Sequence, residues 1–234
     1  MNKNKVVAIM QSNYVPWKGY FDMINMVDEF ILFDSVQYVK RTWRNRNRIK
    51  TPNGLQWLTI PVKVKGRYKQ SINEVVVSNN HWRKKHWRAL EFNYQKAEFF
   101  KKYEDKIKRL YLDDNEENLS QINFEYIKEI NDILGINTKV VFSRDYNYEH
   151  QEGDVECIIE LLKKAGAKVF LNGPTAKEYM SKDMFSEHGI ELRWMNYGGY
   201  PEYRQLFPPF EHSVTILDLI FNHGARSTKY MKSF

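Results

Sequence analysis

Short apolar runs and amphipathic stretches alternate along this chain. Lys5–Ile9 is brief, β-branched and flanked by polar residues, which predicts a buried strand. In Gly19–Val27 the apolar residues Tyr20, Met23, Ile24 and Val27 recur at helical spacing. Phe30–Phe33 is a second short apolar run. Strand, loop, helix and strand within about 30 residues define a βαβ unit with a parallel pair. The segment LQWLTIPVKVKGRYKQSINEVVVS (55–78) alternates, and predicts an antiparallel β-hairpin turning at Gly66 with one wet face. Three helices follow, over His81–Tyr94, Ala97–Leu112 and Glu116–Leu134. The last carries Leu119, Ile122, Ile127, Ile130, Ile133 and Leu134 on one stripe, with Gly135 as its stop.

The pattern then returns to strands at Lys139–Phe142, Lys168–Leu171 and IELRW (190–194), with helices over Asp154–Lys164 and within LNGPTAKEYM (171–180). PEYRQLFPPFEHS (201–213) reads as a proline-bearing loop, and Thr215–Asn222 as a last apolar helix. The expected architecture is α/β, with a mostly parallel sheet, a Rossmann- or HUP-like βαβ start, and a β-hairpin. Residues 1–234 form one domain in this reading, with a helical insertion over 80–135.

Composition narrows the class. The chain has 234 residues, of which 15% are aromatic, at a mean hydropathy of −0.64. No apolar run approaches the roughly 20 residues of a membrane span, and the start is too short for a secretory leader. A cytoplasmic protein of bacterial type is expected. The single cysteine, Cys157, excludes an intrachain disulfide framework and a multi-cysteine zinc site. No grouping has metal-site spacing, so no metal is predicted. The formal charge of +7 favours anionic partners. Between Val36 and Leu55, Lys40, Arg41, Arg44, Arg46, Arg48 and Lys50 occur with no acid among them, whereas LDDNEEN and HQEGDVE are acidic. The surplus is local and points to a site.

Two loops carry the candidate chemistry. QSNYVPWKGY (11–20) follows the first strand, where ligands sit in parallel α/β folds. Gln11 and Asn13 offer amide hydrogen bonds, and Tyr14, Trp17 and Tyr20 offer faces for a base or sugar. Pro16 and Gly19 fix the path into a helix whose N–H groups attract phosphate. There is no Walker A or Gly-x-Gly-x-x-Gly pattern. DSVQYVKRTWRNRNRIK (34–50) starts at the end of the second strand and can face the first loop. Asp34 and Gln37 stand at the strand tip. Lys40, Arg44, Arg46 and Lys50 suit a diphosphate, since the guanidinium fork matches phosphate oxygens. Asn45 and Asn47 can orient a carbonyl or hydroxyl. Asn172, after another parallel strand, reaches the same edge. Asp218 and Asn222 lie four apart on the last helix and share a face.

Together, MQSNYVPWKGYFDMINMVDEFILFDSVQYVKRTWRNRNRIK closely resembles the WbqC-like protein family. That family shows Met-Gln-Pro or His-Gln-Pro, then Tyr, Pro-(Trp/Tyr)-x-Gly-Tyr-Phe and Asp-x-Val-Gln-(Tyr/Phe)-x-Lys-x-x-(Trp)-x-Asn-Arg-Asn-x-Ile. The resemblance extends through HWRKKHWRAL, FLNGPTAKEYM and SVTILDLIFNHG. Ser12 stands where the family usually has Pro, which is expected to loosen the loop without removing a reactive group. The resemblance implies an enzyme of O-antigen or other surface-polysaccharide assembly. Its implied activity is the transfer of an acyl or aminoacyl group, such as glycyl, to a nucleotide-linked amino sugar.

Amide formation needs a neutral amine, a base and a stabilised oxyanion. His86 is the first candidate base, because Arg83, Lys84, Lys85 and Arg88 favour its neutral form. Asp34 is the second, as base or as anchor for the sugar amine. Lys40 and Asn45 are placed to hold the oxyanion. Cys157 belongs to the core. The cofactor is unknown: the acyl donor is a carrier-protein thioester, coenzyme A or an ATP-activated amino acid, and an acyl carrier protein is a candidate partner. Two other readings stay open. One is a HUP-type ATP-dependent ligase or nucleotidylyltransferase, although Trp17-Lys18-Gly19-Tyr20 replaces the His-x-Gly-His of that analogy. The other is an RNA- or single-strand-binding protein built on Trp, Tyr and basic residues, disfavoured because no RNP or KH signature occurs.

Overall fold

In the computed structural model, which describes residues 4–149 and 154–234, the predicted strands gather into two sheets. The strands are β1 (Val6–Met10), β2 (Glu29–Leu32), β3 (Arg46–Thr51), β4 (Gly54–Thr59), β5 (Lys139–Phe142), β6 (Val169–Asn172) and β7 (Glu191–Trp194). The helices are α1 (Lys18–Asn25), α2 (His81–Tyr94), α3 (Phe100–Leu112), α4 (Leu119–Leu134), α5 (Val155–Lys164), α6 (Lys182–Ser186) and α7 (Ile216–His223). The acidic stretch HQEGDVE falls largely outside the described residues.

The main sheet is parallel throughout, in the order β5-β2-β1-β6-β7. Its strands divide their side chains between two faces, as a period of two requires. Ala8, Phe30 and Leu32 join α1, α4 and α7 in one core cluster. Val7, Ile9, Ile31, Phe33 and Phe170 join α5 and α6 in the other. Burial on both faces explains why these strands read as unbroken apolar runs. The β1–α1–β2 crossover covers one face and β5–α5–β6 the other, so the sheet is doubly wound. β1 is flanked by β2 and β6, and the strand order reverses there.

The hairpin is real but displaced. β3 and β4 pair antiparallel, Arg46 opposite Thr59 and Thr51 opposite Gly54. Around Gly66 the described contacts are isolated bridges such as Val62–Val77. The basic stretch read as a loop is therefore partly a strand. Asn47, Ile49 and Thr51 are buried, while Arg46 and Arg48 lie on the alternate face against Trp57. Helix α4 ends as expected at Gly135, whose φ of 74° lies in the left-handed region that glycine occupies without strain.

At the sheet's opposite end, Glu29 is buried within 2.8 Å of Lys5 and 3.4 Å of Lys139, and accepts from the Tyr146 hydroxyl. Burial acts to raise its pKa, but the lysine and tyrosine contacts outweigh burial and hold it below the usual carboxylate range. A depressed folded-state pKa contributes stability that is present above the unfolded-state pKa and lost as pH falls through the folded one. Glu29→Gln should therefore lower the melting temperature at neutral pH and flatten its decline between about pH 5 and 3. Parallel melting curves for the two proteins across that range would remove Glu29 from the acid response.

Candidate functional site

Ligands of open parallel sheets sit beyond the carboxyl ends of the strands, where the strand order reverses. A cleft of about 570 Å³ opens at that place, and Gln11, Asn13, Trp17, Tyr20, Arg44 and Asn172 all line it. Trp43, Gly173 and Tyr197 are also in its walls. A second chamber of about 230 Å³ is lined by Asn13, Pro16, Trp17, Trp43, Asn47, His212 and Ser213. Asn13, Trp17 and Trp43 belong to both, so the chambers share a wall.

The loop after β1 is held in a costly conformation. Val15, a β-branched residue, has φ of 39°, an arrangement worth roughly 1–3 kcal/mol of strain. Asn47 Nδ2 holds it there by donating to the carbonyls of Tyr14 at 3.1 Å and Val15 at 2.7 Å. Asn47 thus orients carbonyls of the protein's own loop. The Tyr14 N–H donates to Trp43 O, and the Ile216 N–H to Pro16 O, each at 2.9 Å. Trp17 then folds over Gly19, where an added Cβ would lie 2.3 Å from its Cζ2. Its ring meets Tyr197 and Tyr200 edge-on at 5.3 and 5.5 Å.

Arg44 is the cation that enters the cleft. Its guanidinium donates to Asn13 Oδ1 and Gln11 Oε1. Among the described residues it makes no ion pair with a carboxylate. Burial lowers its pKa, and the fields of Tyr20 and Asp34 oppose that. An arginine nonetheless stays charged at neutral pH.

Asp34 is only 1% exposed. Its Oδ1 accepts the Ser12 N–H at 2.7 Å and its Oδ2 accepts from the Ser120 hydroxyl. Asn123 Nδ2 donates to both Ser12 Oγ and Arg44 O at 2.9 Å. Burial raises the Asp34 pKa, and the serine bonds act against burial. The carboxylate ties the loop after β1 to α4, and Asn123 of α4 ties both to the segment carrying Arg44. Ser12 is correspondingly pinned, contrary to the expected loosening: a proline would have no N–H to give Asp34.

The other sequence candidates lie elsewhere. His86 is 2% exposed, with Nδ1 2.9 Å from the Tyr14 hydroxyl, which is in turn 2.8 Å from that of Tyr111. Burial, more than the Lys85 charge, pushes its pKa down to about 3. Tyr14 is a core ring in that cluster, beside Trp82 and Tyr126. Lys40 is exposed over Tyr68, and Gln37 Nε2 donates to Tyr68 O at 2.6 Å. Asn45 is buried and donates to Ile60 O at 2.9 Å. Arg46 stacks 4.1 Å from the Trp57 ring, which is 42% exposed. Lys50 turns inward to Pro209 O at 2.5 Å. Asn222 lines a separate pocket of about 210 Å³ and donates to Asp218 O at 2.7 Å. The basic stretch is thus divided by strand alternation, and one of its six cations lines the cleft.

Asp218 is buried, and its carboxylate accepts from Tyr94, Tyr203 and Gln205, each at 2.9 Å. Burial raises its pKa against those three bonds. Gln205 exchanges two 2.9 Å bonds with the Glu211 backbone, and Glu211 Oε1 accepts the Ser213 N–H at 2.8 Å. Asp218 therefore anchors the loop that delivers His212 and Ser213 to the smaller chamber. Neither was singled out from the sequence. The available signal was a His-Ser pair immediately before a buried segment and the Thr215 helix cap.

The model of the WbqC-like protein family matches residues 11–230. An uncharacterized protein of Mycobacterium tuberculosis is 47% identical over 228 residues, covering 97% of this chain and 98% of that protein. No solved structure matches. Among the described residues, no helix is long and apolar enough to cross a membrane, and no group of three His, Cys, Asp or Glu residues is arranged to hold a metal ion.

Two substitutions test this account of the site's construction. Asp34→Ala leaves the buried Ser12 N–H without its acceptor and should cost about 2–3 kcal/mol in urea unfolding. A loss under about 0.5 kcal/mol, the level of ordinary surface changes, would show that the three segments hold without it. Gly19→Ala forces its methyl into the Trp17 ring and should destabilise by about 1–3 kcal/mol. It should also shift the Trp17 indole N–H resonance, and an unmoved resonance would contradict the packing.

Proposed function

We propose that this chain, which belongs to the WbqC-like protein family, is an N-acyl or aminoacyl transferase that forms an amide on a nucleotide-linked amino sugar. The observation that carries the reading is Arg44. A cation held by two neutral amides, at the strand-order reversal of a parallel sheet, calls for an anionic ligand. A diphosphate fits that charge. Gln11 and Asn13 set the guanidinium, while Trp17, Trp43, Tyr20 and Tyr197 cover a base or sugar and Asn172 forms the far wall. The volume is in the range of sites for molecules of this size.

The shared wall supports a two-substrate reaction. With the diphosphate on Arg44, the sugar's amine passes Asn13, Trp17 and Trp43 toward the smaller chamber, where the acyl group is delivered. The donor is a carrier-protein thioester, coenzyme A or an ATP-activated amino acid. In this reading the enzyme works in the cytoplasm, in surface-polysaccharide assembly. His86, Asp34 and Asn45 keep structural roles, and Lys40 stays at the surface.

A second reading has one observation of its own. Trp43 and Trp57 lie 5.4 Å apart with Arg46 and Arg48 against them, an exposed platform of the kind that stacks single-stranded bases.

Binding separates the readings. UDP- and dTDP-linked amino sugars should raise the melting temperature, and at about 100 times Kd the gain is about 2.7 kcal/mol. Arg44→Ala should weaken that binding at least tenfold, given about 1.5–3 kcal/mol for a charge-assisted contact. Arg46→Ala should change it little. Failure of every nucleotide sugar to stabilise the protein, alongside salt-dependent binding of arbitrary oligonucleotides, would replace this function with the second reading.

A further inference from the structure

His212 closes one side of the smaller chamber, which otherwise presents the Trp17 and Trp43 rings, Pro16, Asn13, Asn47 and Ser213. The chamber's polar groups are mostly committed. Asn47 donates to the carbonyls of Tyr14 and Val15, and the Ser213 hydroxyl donates to Glu211. Asn13 holds Arg44 with its amide oxygen, which leaves the N–H2 as its donor edge.

The two ring nitrogens of His212 differ. Nδ1 is sealed from solvent and has no hydrogen-bond partner among the described residues. Nε2 is not sealed in this way, which leaves it as the nitrogen for a ligand. A proton on Nδ1 would be an orphaned buried donor, whereas a lone pair there is the lesser cost. The proton therefore resides on Nε2 in the neutral ring. Burial and the Lys18 charge both oppose a second proton, against weaker opposite effects of Glu202 and Glu211. The ring is fixed by Phe210, edge-on at 4.5 Å, and by the loop anchored through Glu211, Gln205 and Asp218.

We propose that His212 is a catalytic residue that donates a hydrogen bond from Nε2–H to the acyl carbonyl oxygen, as a neutral imidazole and not as a base. The inference rests on the acyl-transfer reading above. The amine nitrogen attacks the carbonyl carbon of R–CO–X, where X is a thiolate or phosphate leaving group. The C–N bond forms, and negative charge gathers on the carbonyl oxygen facing Nε2–H and the Asn13 N–H2. As the C–X bond breaks, X takes the bonding pair and the proton shed by nitrogen, leaving as HX. The His212 proton stays on the imidazole throughout, and preorganised donors of this kind act where charge develops.

The test compares His212→Gln with His212→Ala in the full chain, using UDP- or dTDP-linked amino sugars with acetyl-CoA or a glycyl thioester. A glutamine side-chain amide places an N–H near the Nε2 position but cannot serve as a base. His212→Gln should keep kcat within about tenfold, and His212→Ala should lose about 10²–10³-fold in kcat with little change in KM. Nitrogen-15 NMR of the resting protein should show the neutral Nε2–H tautomer at neutral pH. An Nδ1–H tautomer, or a ring already protonated at that pH, overturns the proposal. Amide product from wild type with His212→Gln as inactive as His212→Ala overturns the role of His212 alone. An Nε2–H tautomer with no amide formed from either donor overturns that role together with the reaction.

Discussion

A guanidinium brought to the edge of a parallel sheet without a carboxylate in contact must be held by something else. Arg44 is held by the amide oxygens of Gln11 and Asn13, on the loop leaving β1. That arrangement requires the loop to follow one path, and the path is strained at Val15. The strain is sustained by a set of buried bonds: Asn47 to the loop carbonyls, Asn123 to Ser12 and to Arg44 O, and Asp34 to Ser12 and Ser120. Each partner is desolvated, so losing one leaves another unsatisfied, and the cost of a single loss is high. The charge at the cleft is thus built from the sheet outward, through α4 and β3.

The same logic explains the second chamber. Its wall comes from the loop before α7, whose position is set by bonds remote in sequence: Thr215 N–H to Arg48 O and Ile216 N–H to Pro16 O, each 2.9 Å. Asp218 adds the link through Gln205 to Glu211. One chamber therefore rests on the β1 loop and Arg44, the other on the C-terminal helix. They meet at Asn13, Trp17 and Trp43, where the proposed transfer would bring its two reactants together.

Much of this was legible beforehand, for identifiable reasons. β1, β2 and β6 declared themselves because burial on two faces leaves unbroken apolar runs. The loop 11–20 was found because it leaves the first such strand and mixes amides with rings. β3 was obscured because RNRIKT carries charge on its outer face, and its period of two passes for a basic loop. Choosing Arg44 over Arg46, Arg48 or Lys50 depends on where β3 begins and which way each side chain then points. His86 looked reactive by its basic neighbours, yet its ring is buried in the cluster of Tyr14, Trp82 and Tyr111. His212 had almost no local signal, since a bond to Asp218 made through Gln205 brings it to the chamber.

In the proposed function, Arg44 holds the diphosphate of a nucleotide sugar in the cleft between β1 and β6. A crystal structure of the protein with a UDP- or dTDP-linked amino sugar tests it most directly. The account predicts diphosphate oxygens within about 3 Å of the Arg44 guanidinium, the sugar's amine directed past Asn13 toward His212, and a base or sugar face against Trp17 or Tyr197. A ligand lying instead on the Trp43–Trp57 platform, with Arg44 still bound only to Gln11 and Asn13, would contradict it.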